Sequence, residues 1–162
     1  MNLELTAQRD DRADEMPIAF RMTKPLVFAA DVASVDFRAE VWCSDADVKH
    51  NAAQLRAFQE RIGGGTDEEL SLTFGIAQGD SRLNVHPGKC TLEFFLTPSN
   101  RIIVSVRLTS LQPGRNTSNL LDTCVVHFET TDHRLEEFVG DLEQSSDIPW
   151  RASLRGFEVG DA

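Results

Sequence analysis

The residues able to do chemistry are few and scattered. Histidines stand at His50, His86, His127 and His133, cysteines at Cys43, Cys90 and Cys124, and a glycine run at Gly63-Gly64-Gly65. A zinc site needs four converging ligands, and the motifs that place several of them on one element space them as HxH, HExxH or CxxC. None of these residues has that spacing. The glycine run lacks the GK[ST] ending whose lysine and hydroxyl meet phosphate and metal, and it follows a helical pattern, where a helix stop and linker explain it. Asp45 and Asp47 lack the central glycine and final glutamate of a calcium loop; they fit a helix cap and first turn. No GxSxG elbow or family-specific cysteine signature supplies a nucleophile. Asn116-Thr117-Ser118 matches a glycosylation sequon, which means nothing without export. The sequence therefore predicts a non-catalytic chain with no cofactor and no metal.

What must position these residues is one domain, 1–162. At 162 residues a single domain buries about two-thirds of the surface of its unfolded chain, so the core needs no metal or disulfide staple. The formal net charge of −10 argues against nucleic acid and anionic membrane, since both are bound through lysine and arginine. The charge is uneven: from Asn116 to the C-terminus ten carboxylates face three arginines. An odd set of cysteines with no export signal points to a reducing cytoplasm. The run Leu26–Ala30 is far too short to cross a bilayer.

Alternation of apolar and polar residues is the strongest pattern. A period of two marks a half-buried strand, because successive side chains point to opposite faces. It runs through Ile102, Val104, Val106 and Leu108; through Val35, Phe37, Ala39, Val41 and Cys43; and through Leu70, Leu72, Phe74 and Ile76. It recurs at Leu92, Phe94 and Leu96, at Cys124, Val126 and Phe128, and more briefly at Ile18, Phe20 and Met22 and at Leu3 and Leu5. Pro87-Gly88 and Pro98-Ser99-Asn100 carry turn chemistry, Gln8–Glu15 reads as a charged loop, and Pro113-Gly114 opens a polar loop over Gln112–Asn119. Short connections and one-sided alternation predict antiparallel pairing.

Two segments change period. Val48, Ala52, Leu55, Phe58 and Ile62 make one helical stripe over Asp45–Ile62, capped by Ser44 or Asp45 and ended at Gly63. Leu135, Phe138, Val139 and Leu142 make another over His133–Gln144, with Asp132 as cap and Gly140 as a weak point. A tail containing Trp150 follows. The predicted architecture is α+β: a mainly antiparallel sheet of about 7–9 strands, as one curved sheet or in two layers, covered by two amphipathic helices. No internal repeat is visible in the sequence.

Trp42 and Phe95 fall on the polar phase of their strands, where a second packed layer or a partner would have to cover them. From Leu55 onward the layout resembles the wall-associated-protein immunity family and its relatives, small bacterial immunity-type proteins. The resemblance is carried by "QLRAFQERIGGG", "ELSLTF", "CTLEFFL", "RIIVSVRL", "CVVHFETTD" and "RLEEFVGDL". The family's Asp-Gln step before the last helix is Asp132-His133 here. Membership would imply neutralisation of a cognate toxin by direct binding, and no active site. The expected partner is another protein, a basic one if charge steers it, with Glu136, Glu137, Asp141 and Glu143 on the last helix as its first contacts. A small-ligand domain or enzyme with a pocket between sheet and helices, and an oligomer-forming subunit, are the competing readings.

Overall fold

The computed structural model describes residues 1–7, 15–28, 31–75, 88–111 and 121–160. Along the chain these form β1 (Asn2–Ala7), β2 (Glu15–Phe28), β3 (Asp31–Ser44), α1 (Asp45–Gln59), β4 (Glu68–Phe74), β5 (Lys89–Leu96), β6 (Ile102–Leu111), β7 (Leu121–Thr130), α2 (Asp132–Glu143) and β8 (Trp150–Arg155). The strands make two four-stranded antiparallel sheets, ordered β3-β2-β1-β8 and β4-β5-β6-β7. The α+β class and antiparallel pairing are as the alternation requires, and the sheets number two. The expected loops Gln8–Glu15 and Gln112–Asn119, and the Pro87 half of the Pro87-Gly88 turn, lie largely outside the described residues.

Each sheet turns one face inward. Leu3, Leu5, Ile18, Phe20, Met22, Val41, Ala152 and Leu154 line the first; Leu72, Phe74, Leu92, Phe94, Val104, Val106, Leu108 and Phe128 line the second. Both sets belong to one continuous core with the buried stripes of α1 and α2. The rings of Phe20 and Phe74 meet at 5.6 Å between the sheets, and those of Phe58 and Phe94 at 6.0 Å join α1 to the second sheet. Such tilted pairs add to the free energy of burial.

Three expectations need correction. The tail around Trp150 is a strand: β8 pairs with β1, Trp150 opposite Ala7 and Arg155 opposite Asn2. Its alternation, Trp150, Ala152, Leu154, is interrupted by a small residue and so was weak as a signal. The cap of α2 is Thr131, whose hydroxyl accepts the backbone N–H of Arg134 at 3.3 Å, while Asp132 occupies the first helical turn. Thr and Asp are both good caps, and the extended backbone of Thr131 decides between them. Third, the topology does repeat. Four antiparallel strands followed by a helix occur once as β4-β5-β6-β7-α2. They occur again as β8-β1-β2-β3-α1, with the chain termini falling between β8 and β1.

The repeat extends to single residues. One interval along the chain relates Ser44 to Thr131, Asp45 to Asp132, Val48 to Leu135, Ala52 to Val139 and Leu55 to Leu142. Ser44 caps α1 by accepting the N–H of Asp47 at 3.1 Å, as Thr131 caps α2. The Asp after each cap reaches the far end of the other helix. Asp45 accepts hydrogen bonds from Ser145 (2.5 Å) and Ser146 (3.0 Å), and Asp132 accepts one from Gln59 (3.0 Å). The termini close the gap between β8 and β1, with Gly156 N–H donating to Met1 C=O at 3.0 Å.

Each helix also covers the edge of the strand that follows it. Asn51 of α1 donates to the Thr73 carbonyl of β4 at 2.9 Å. Asp141 of α2 takes the Ser153 backbone N–H of β8 onto its carboxylate, and its own carbonyl accepts the Trp150 indole N–H at 2.6 Å. Edge strands left bare are templates for foreign strands, and covering them is a standard remedy.

Candidate protein-binding surfaces

The residues singled out from sequence fall in three places. Trp42 stands at the end of β3 opposite Pro17, half-buried, on the outer face of the first sheet. Phe95 lies on the outer face of the second sheet, also half-buried, in a row that reads Glu69, Phe95, Ile103, Glu129 across β4 to β7. Glu136, Glu137, Asp141 and Glu143 are on α2. Trp42 and Phe95 therefore cannot share one contact patch.

The α2 carboxylates are in part engaged. Arg56 of α1 donates to both oxygens of Glu136 (2.6 and 2.7 Å) and forms a two-pronged pair with Glu143 (3.0 Å each). These hydrogen bonds, Glu143 first, raise the Arg56 pKa, and Arg56 holds the Glu136 carboxyl below the usual range. Burial raises the pKa of Asp141, against the pull of the Ser153 N–H. Among the described residues Glu137 has one exposed ion-pair contact, to His133 at 3.6 Å. Of the four, Glu137 is the one whose charge stands most open.

The outer face of the first sheet is a balanced ionic lattice. Arg21 holds Asp36 by two hydrogen bonds (2.9 and 2.8 Å), Arg38 reaches the same carboxylate at 3.4 Å, and Arg151 pairs with Glu4. The Arg21 hydrogen bond draws the Asp36 pKa down to about 2.

The second sheet differs. The exposed large apolar residues among those described are Val125 (47%), Phe157 (43%) and Val159 (37%), and all three belong to β7 or to the segment beside it. Phe157 exchanges two backbone hydrogen bonds with Glu129, 2.9 Å each, and so extends the row that holds Phe95 and Ile103. Arg134 stacks 5.9 Å from the centre of its ring. Arg101 clasps Glu129 (3.1 and 2.8 Å) and the Gly160 carbonyl (2.7 Å), fixing this segment against the sheet. Val125 was legible: in Val125-Val126 one neighbour must face outward. Phe157 was not, because nothing in its sequence announces a bridge to β7.

The interior polar groups serve structure. Besides Asn51 and Ser145, the Thr130 hydroxyl donates to the Arg155 carbonyl at 2.7 Å. Among the described residues no group of three or more His, Cys, Asp or Glu is placed to hold a metal ion. Cys43 and Cys90 are buried and Cys124 half-buried, and burial raises the thiol pKa of Cys90 and Cys124. Among the described residues no helix is long and apolar enough to cross a membrane. No protein family, no curated protein and no solved structure matches this chain.

Proposed function

We propose that this chain is a non-catalytic, cytoplasmic protein-binding module whose contact surface is the outer face of the second sheet. The observation that carries this reading is the row of half-buried Phe95 and Ile103 that the exposed Phe157 extends beyond Glu129, with the exposed Val125 on the same face two rows further along β7. Apolar side chains collected on one side of an otherwise charged domain favour a partner that removes them from water. Net negative charge gives such a contact long-range selectivity for a basic partner, with Glu137 the most open contributor on α2. Toxin neutralisation, which the sequence resemblance implies, is the specific form of this reading that fits an acidic binder.

Affinity capture from the source cell tests it. The wild-type chain should retain a partner at stoichiometric level, and Phe95→Ser and Phe157→Ser variants of unchanged circular dichroism should lose it. Retention of the same partners by both folded variants removes the assignment of this face. Salt should weaken capture by the wild type, and Glu137→Lys should reduce that dependence.

A further inference from the structure

Four strands lie at sheet edges, and three of them are protected. Asn51 covers β4, and Asp141 with Thr130 covers β8 at Ser153 and Arg155. On β3, Gly88 N–H donates to Glu40 C=O at 3.1 Å, so the groups of Arg38 and Asp36 face the same open side, and these two residues are charged. Charge at an edge discourages strand addition.

Among the described residues no such device covers β7 over most of its length. Because Glu129 exchanges both backbone bonds with Phe157, the two-residue alternation turns the N–H and C=O of His127, Val125 and Thr123 to that same open side. Among the described residues none pairs with them. Their side chains are exposed, and the stretch from Thr123 to Phe128 contains no Asp, Glu, Lys or Arg.

We propose that β7 pairs antiparallel with β7 of a second copy, joining the two second sheets into one continuous sheet. The uncharged edge permits this occupant. Two chains of net charge −10 repel, and this seam brings them together without opposing carboxylates. With Val125 at the two-fold centre, Thr123 faces His127 of the other copy and Val125 faces its own mate, burying the most exposed large apolar side chain of the described residues. The paired stretch ends at His127: in this register Glu129 would face Leu121 of the other copy, but Phe157 already closes that end and Arg101 neutralises the carboxylate. A basic extended peptide would need acids along this edge, and the stretch from Thr123 to Phe128 offers none. The seam shares Val125 with the proposed partner surface, but self-association of the pure chain is read without that partner and stands whether or not Phe95 and Phe157 bind one.

A seam one strand long is at the small end of interfaces, so the dimer should form in the micromolar range and be read by sedimentation equilibrium up to about 500 µM. The wild-type chain should reach twice the monomer mass, and Val125→Lys should remain monomeric over the same range. Ser34→Lys, at the β3 edge, should dimerise as the wild type does. A second measurement fixes the register. Facing residues of a hydrogen-bonded pair have Cα atoms about 5.5 Å apart, within disulfide reach, so mild oxidation of the double variant Thr123→Cys/His127→Cys should give a covalent dimer. A wild-type chain that stays monomeric, a dimer that survives Val125→Lys, equal loss with Ser34→Lys, or no covalent dimer from the double variant would each overturn the proposal.

Discussion

Ser145 should matter far more to this fold than a serine after a helix usually does. Its hydroxyl is fully buried and donates to Asp45 at 2.5 Å, tying the start of α1 to the end of α2. A hydrogen bond to a charged acceptor contributes about 1.5–3 kcal/mol. Asp45 is 39% exposed and keeps Ser146 and Lys49 (3.1 Å) as partners, which trims the expected loss in Ser145→Ala to about 1–1.5 kcal/mol. The pH dependence separates this from a mere packing defect. Burial alone would push the Asp45 pKa up, but the hydrogen bonds from Ser145, Lys49 and Ser146 prevail and hold it below the unfolded value. A carboxyl with a depressed folded pKa contributes stability that is present above its unfolded pKa, about 3.9, and lost as pH falls through the folded one. The difference between wild type and Ser145→Ala in urea denaturation should therefore be full at pH 7 and shrink steadily below about pH 4. A loss of equal size at pH 7 and pH 3, or no loss at all, would refute the reasoning.

Three further substitutions probe other parts of the design. Gly140 sits in α2 with no atom within 4 Å of the place a Cβ would take, so Gly140→Ala should raise stability by about 0.8–1 kcal/mol in urea melts. Gly156 lies where a Cβ would strike the Phe128 ring and come within 2.6 Å of the Glu129 carbonyl; Gly156→Ala should cost about 2–3 kcal/mol, lowering the thermal midpoint. Asp141 has a folded pKa raised by burial, so its ionised form is disfavoured in the fold. That penalty is full above the folded pKa and absent below the unfolded one. Asp141→Asn should accordingly gain up to about 1 kcal/mol at neutral pH, with the gain vanishing as pH falls below about 4; a loss at neutral pH would mean the charge on the Ser153 N–H outweighs burial.

The elements were legible where one face meets the core and the other meets water. The alternation of Ile102, Val104, Val106 and Leu108, and the stripe Val48, Ala52, Leu55, Phe58, are dictated locally. The turn at Pro98-Ser99-Asn100 was too, and it closes with Asn100 N–H on Thr97 C=O at 2.9 Å and Asn100 at φ 61°. Gly63 likewise takes the positive φ, 95°, expected after α1, although the helix proper ends at Gln59. What stayed hidden depends on distant pairing. β8 reads as a tail because its partner is at the other end of the chain, and the division into two sheets rests on which strands adjoin. The exposed position of Phe157 rests on a bridge to Glu129. The candidate site suffered most, since Trp42 and Phe95 have similar phase in their strands yet face solvent from different sheets.

The duplicated topology also explains part of the charge that sequence alone would assign to a partner. The interval that relates Asp45 to Asp132 also relates Arg56 to Glu143 and Lys49 to Glu136. Of these, Arg56 and Glu143 meet each other at 3.0 Å where the two helices pack, while Glu136 also turns to Arg56 and Lys49 to Asp45. Identical residues at such positions would set like charges face to face, which destabilises a helix pair. Opposite charges resolve the conflict at this contact: α1 supplies Arg56 and α2 the carboxylates Glu136 and Glu143. The acidity of α2 is thus in good part the internal complement of α1, and less of it remains to act at a distance. A binding surface is better sought where the two halves have diverged without an internal reason. That place is β7, whose edge bears Thr123, Val125 and His127 where the corresponding edge of β3 bears Asp36 and Arg38.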